Sequence, residues 1–202
     1  LDCKDRSREY IPLDTQRLSI GVADSLVRRS LAQGDFNDRV RQCRAAFEHL
    51  APHQPGAECL RDIRHETLVA HEHELDPVIA RRAHHVVGEV SRTFVARDAL
   101  LAGDARAFGA QMFRTHASLR DLFEVSVPEL DQLVESAAAS AGCLGARLTG
   151  AGFGGCAVAI VEKGRESDVS ARLVDDFTRR FGHPPRVEFY GGDAGPREIE
   201  IT

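Results

Sequence analysis

Residues 147–161 read RLTGAGFGGCAVAIV, which places four glycines within six positions between two apolar runs. The flanks, ARLT (146–149) and CAVAIV (156–161), are short and carry β-branched residues, so they suit strands better than helices. The stretch reads as strand, loop, strand. Downstream, Val169, Leu173, Phe177 and Phe181 recur at steps of four, one face of a helix over about 167–181, and RVEFY (186–190) and EIEI (198–201) read as closing strands.

Upstream the period changes to that of helices. DFNDRVRQCRAAFEHL (35–50) sets Phe36, Val40, Cys43, Phe47 and Leu50 on one face, with Asp35 available as its cap. After the loop APHQPGAE (51–58), Asp76-Pro77 opens a second helix carrying Ile79, Ala83, Val86, Val87, Val90 and Phe94, with proline where a missing N–H costs nothing. Asp104 starts a third, with Phe108, Met112 and Leu119. SVPEL (126–130) starts a fourth, with Ser126 and Glu129 as a capping box and Gly142 as its stop. At the N-terminus, REYIPLDTQRLSIGVADS (8–25) alternates at Leu18, Ile20 and Val22 and reads as a hairpin. The order predicts an α+β fold, an antiparallel sheet with helices on one face.

Composition bounds the function. The 202 residues are 43% hydrophobic and 28% charged, with a net charge of −5 and acids interspersed with bases, which disfavours a polyanion partner such as nucleic acid. Five cysteines (Cys3, Cys43, Cys59, Cys143, Cys156) lack any C-x-x-C pair and read as free structural thiols of a reducing compartment. With no apolar run of about 18 residues and no cationic-then-apolar leader, the expectation is a cytoplasmic protein without membrane contact.

The glycine loop admits several chemistries, which its surroundings sort. Gly150, Gly152 and Gly155 satisfy G-x-G-x-x-G, but a dinucleotide fingerprint must open a helix and here a strand follows. A protein-kinase loop needs H-R-D and D-F-G downstream, and a P-loop needs Lys-Ser or Lys-Thr where Cys156-Ala157 stand; neither is present. Two readings stay open: bare amides cradling an anion, with Thr149 adding a hydroxyl, or a tightly packed bulged hairpin. Elsewhere, HEHE (71–74) and His84-His85 lack zinc spacing and read as a solvated charged face, so no metal ligand is expected. His116 with Ser118 reads as helix surface, and Arg39 and Arg41 diverge on their helix and read as ordinary surface arginines.

GARLTGAGFGGCAVAIV (145–161) resembles the third motif of the GHMP small-molecule kinases, in the form found in galactokinases. ADSLVRRSLAQGDFNDRVRQCRAAFEHL, LDPVIARRAHHVVGEVSRT, AGDARAFGAQMFRTHASLRDLFEVSVPELDQLVESA and GGDAGPREIEI agree with it in order. The resemblance covers nearly the whole chain. It implies a ferredoxin-like split β-α-β fold, with residues 1–34 as the tail of the N-terminal (ribosomal S5 domain 2-like) kinase domain and 35–202 as the GHMP kinase C-terminal domain.

It also implies transfer of the ATP γ-phosphate, assisted by Mg²⁺, to the anomeric hydroxyl of galactose. The loop Thr149, Gly150, Ala151, Gly152, Phe153, Gly154 and Gly155 would support the nucleotide-phosphate loop, and Phe36 would contact the sugar. The family's G-E-H-T-D-Y segment, Ser-rich phosphate loop, catalytic Asp and Arg match nothing in these residues. No catalytic or metal-binding residue is therefore assigned, a missing N-terminal kinase domain becomes the expected partner, and the chain alone is expected to be inactive. Phe36 in DFN stands where the family has a sugar-contacting tyrosine, and Thr115-His116 and EVSRT (89–93) also depart from the pattern. The alternative is a catalytically dead relative that senses sugar or ATP and binds a regulatory protein.

Overall fold

The computed structural model describes residues 2, 4–28 and 33–192. Leu18–Asp24 forms β1, and Gln33–Leu50 forms α1, followed by a one-turn 3₁₀ helix at Ala51–His53 and another at Leu60–Asp62. His65–His71 (α2) runs into a third such turn, Glu72–Glu74, before the long α3 (Pro77–Leu101), α4 (Ala105–Asp121) and α5 (Pro128–Ala138). Cys143–Leu148 (β2) and Cys156–Glu162 (β3) flank the glycine loop, and α6 (Glu166–Phe181) and β4 (Arg186–Tyr190) close the described fold. EIEI lies outside the described residues.

The sheet order is β2-β3-β1-β4 and every pairing is antiparallel. Strands β1 and β2 point the same way with β3 hydrogen-bonded between them, which is the split β-α-β arrangement. The 8–25 segment is therefore not a hairpin: only Leu18–Asp24 is strand, and both its partners come from the far end of the chain. The expected division at residue 34 thus separates β1 from the sheet in which it is a central strand.

Alternation along the strands sorts the core. Ala23, Ala146, Ala157, Ala159 and Val161 face α5 and α6, which bring Leu130, Leu133, Val134, Val169, Leu173 and Phe177. The small alanines let these helices lie close, and burying Val169, Leu173 and Phe177 contributes roughly 2 kcal/mol each. On the other side, Leu18, Leu144 and Ile160 meet Met112 and Phe108 of α4. There the backbones of α4 and β2 touch: a Cβ on Gly109 would stand 2.0 Å from the Leu144 carbonyl oxygen. A second core joins α1, α2 and α3 through Ala46, Leu50, Leu68, Ala83 and Val87.

Local signals fared unevenly. Asp76 and Asp104 cap α3 and α4, accepting from Val78 N at 2.8 Å and Ala107 N at 2.9 Å. Asp35 is in the first turn of α1, not its cap. The expected capping box does not form, because the Ser126 hydroxyl donates to Asp131 at 2.6 Å and Val127 holds the cap position. Helix α5 ends at Ala138, and Gly142 (φ 89°) instead turns the chain into β2. No helix among the described residues is long and apolar enough to cross a membrane.

Candidate functional site

The loop between β2 and β3 is held by backbone hydrogen bonds at three positions. Phe153 N–H donates to Val125 O at 2.7 Å, Gly155 N–H to Val27 O at 3.2 Å, and Thr149 N–H to Cys156 O at 3.0 Å. Ser25 returns both its N–H (3.0 Å) and its hydroxyl (2.8 Å) to Gly155 O. These bonds leave the N–H groups of Gly150, Ala151, Gly152 and Gly154 without a partner among the described residues. Bare amides presented in series make an anion-binding concavity. Glycine is demanded at 152, where φ is 80° and a Cβ would stand 2.3 Å from Val125 O. Phe153 itself holds φ 60°, a conformation costly for a bulky residue and retained here by its short bond to Val125.

That anchor is set by two arginines. Arg39 of α1 donates Nε to Phe123 O at 2.7 Å and Nη2 to Glu124 O at 2.8 Å, with its guanidinium 5.9 Å from the Phe153 ring centre. Burial pushes its pKa down. Arg82 of α3, 1% exposed, bonds Gln42 Oε1 at 2.9 Å, Leu122 O, and Glu124 Oε2 at 2.6 Å. The 122–125 connection that carries the loop is thus fixed from α1 and α3. Arg39 is not the ordinary surface residue the sequence suggested, whereas Arg41 is exposed and pairs with Asp38. Sequence spacing gave no signal for Arg82, because all its acceptors are distant in the chain.

His116 is buried, not on the surface. Its Nδ1 accepts from Leu148 N–H at 3.3 Å and its Nε2 faces Asp131 at 3.1 Å, so a neutral ring satisfies both. Burial acts to raise the Asp131 pKa, but hydrogen bonds from His116 and Ser126 outweigh it and hold the carboxyl below its usual value. Ser118 bonds His85 Nδ1 at 2.8 Å and Arg92 Nη2 at 2.9 Å, and so forms no pair with His116. His85 lies stacked on Phe123, ring centres 4.4 Å apart, and burial lowers its pKa to about 4. Cys43, Cys59, Cys143 and Cys156 are free, and burial raises Cys143 to about 11, which makes it a poor nucleophile.

Phe36 is half exposed near the start of α1, one turn before Arg39. Three carboxylates at this end are already engaged: Asp24 by Arg28, Glu124 by Arg81 and Arg82, Asp131 by His116. The loop fits an anion such as phosphate, while these acids do not offer a magnesium site. A cleft of about 990 Å³, lined by Asp14, Arg17, Leu144, Glu162 and Lys163 among others, opens at the opposite end of β1 and β3, roughly 20 Å from the loop.

The fold and loop define a class. Residues 96–178 match the family described as GHMP kinases C terminal. Within that class it is galactokinases that the sequence resembles. It is 45% identical over 163 residues to the galactokinase of Roseiflexus sp. (strain RS-1), covering 81% of this chain and 41% of the relative. To the Homo sapiens galactokinase it is 45% identical over 162 residues, 80% of this chain and 40% of that one. The galactokinase of Exiguobacterium sibiricum aligns over 99% of this chain and 51% of its own length at 39% identity. The crystal structure of Lactococcus lactis galactokinase complexed with galactose superposes with a TM-score of 0.89 at 32% identity, covering 95% of this chain and 49% of that chain. The chain spans about half the length of the relatives it matches.

Proposed function

We propose that these 202 residues are the C-terminal part of a galactokinase-type sugar kinase, acting with ATP and Mg²⁺ in the cytoplasm. The observation that carries this reading is the close superposition on a galactose-bound galactokinase over 95% of the chain. In the reaction the anomeric hydroxyl oxygen of galactose bonds to the γ-phosphorus as the bond to the bridging oxygen of ADP breaks, and the hydroxyl proton leaves to a base. Phosphoryl transfer asks a protein mainly for positioning and for dipoles aimed at the phosphoryl oxygens. The unpartnered amides of Gly150, Ala151, Gly152 and Gly154 are suited to face that charge or the segment that carries it.

The division of labour proposed is between this part and an N-terminal domain. The latter, represented here at most by residues before β1, supplies the base and the phosphate and metal ligands; Phe36 lines the sugar subsite. The test is formation of galactose 1-phosphate by the complete polypeptide and by the 202 residues alone. Product from the former and none from the latter supports the reading. Binding of galactose and ATP without turnover by the complete polypeptide favours the sensor, a reading that Phe36 in place of tyrosine makes worth testing.

A further inference from the structure

Four imidazoles and one carboxylate meet where α1 ends and the Glu72–Glu74 turn begins. His49 Nε2 lies 3.2 Å from Glu74 Oε2, and ligand atoms of His49, His53 and Glu74 fall within 4.8 Å of one another. His71 stacks on His53 with ring centres 3.6 Å apart and places Nδ1 2.8 Å from Glu74 Oε1. Among the described residues, Glu74 has ion-pair partners only in His49, His71 and His73, with no arginine or lysine. Asp2 and Asp62, by contrast, are matched by Arg61 and Lys4.

We propose that His49, His53 and Glu74 form a Zn²⁺ site, with His71 orienting Glu74 and His53 from outside the coordination sphere. Two imidazole nitrogens and a carboxylate oxygen suit this borderline cation, and the remaining position falls to water. Tetrahedral bonds of about 2.0–2.2 Å need donor atoms about 3.3 Å apart, which His49 and Glu74 already satisfy. His53 is exposed, so rotating its ring inward displaces no core residue. A ligating carboxylate commonly accepts a further hydrogen bond, which is the position His71 occupies. The site would join the end of α1 to the α2 segment, away from the glycine loop, and does not rest on the kinase reading. The sequence placed HEHE on a solvated face because it lacks zinc spacing. The fold supplies His49 and His53 instead.

The test is calorimetric titration of the tag-free protein with ZnCl₂, alongside CoCl₂ as a visible-absorbing substitute. One Zn²⁺ per chain is expected, weakened at least tenfold in His53→Ala and separately in Glu74→Gln, several-fold in His71→Ala, and unchanged in His183→Ala. The Co²⁺ form should show visible d–d bands without a thiolate charge-transfer band. Binding that is absent at micromolar Zn²⁺, indifferent to His53→Ala and Glu74→Gln, or marked by the thiolate band overturns the proposal. Circular dichroism of both variants establishes that they are folded.

Discussion

Gly152 and Val125 meet backbone to backbone: a Cβ on Gly152 would stand 2.3 Å from the Val125 carbonyl oxygen, which already accepts the Phe153 N–H at 2.7 Å. The glycine loop is therefore seated on the connection between α4 and α5.

Substituting this glycine should separate seat from surface. Gly152→Ala combines a positive φ with a backbone clash and should cost about 3 kcal/mol or more of stability. Gly150→Ala meets nothing within 4 Å and should cost only about 1 kcal/mol, through its φ of 79°. Denaturant midpoints of the two variants check the difference.

Arg82 positions the same seat from α3. Arg82→Met leaves the Leu122 carbonyl without its donor and Gln42 with only the long 3.5 Å bond from Arg39, and should destabilise by about 2–3 kcal/mol. Arg82→Lys should rescue little, since one ammonium cannot span three acceptors in that planar arrangement. Urea unfolding of both variants, with kcat/KM in the complete kinase, reads the effect.

Acidification should weaken the fold through His85. Its folded pKa of about 4 lies below the ordinary value of 6.5, with burial as the main cause, Glu89 opposing and Arg92 and Arg82 reinforcing. Between those values the unfolded chain binds the extra proton, so stability is fully present above pH 6.5 and is lost as pH falls toward 4. The loss is on the order of 3 kcal/mol. His85→Gln should flatten this part of the stability–pH curve, measured by denaturant midpoints at intervals across it.

Phe36→Tyr should restore a hydroxyl facing the sugar. One added hydrogen bond is worth about 1 kcal/mol, so KM for galactose in the complete kinase should fall several-fold with kcat little changed. An unchanged KM would remove Phe36 from the sugar subsite.

Strands β2, β3 and β4, the glycine loop and the capped starts of α3 and α4 were legible because each is a local pattern: a short β-branched run, a glycine cluster, an aspartate before a helix. The pairing of β1 with β3 and β4 was not, because partners more than a hundred residues away leave no mark on an isolated strand. Helical spacing placed Arg39 and His116 on helices but could not tell which side another helix or strand would cover. Ser126 was misread because a serine before a helix fits a cap equally well as it fits the bond it makes to Asp131. The buried role of Arg82 and the gathering of His49, His53 and Glu74 are likewise products of tertiary contact.

Under the proposed function, the free amides of Gly150, Ala151, Gly152 and Gly154 face the phosphoryl group being transferred. Amide hydrogen exchange of the complete kinase, with and without ATP and galactose, tests this at Gly150, Ala151, Gly152 and Gly154. Exchange at these amides should slow when both substrates are bound. Exchange equally fast in both states, with substrate binding verified in the same sample, would contradict it.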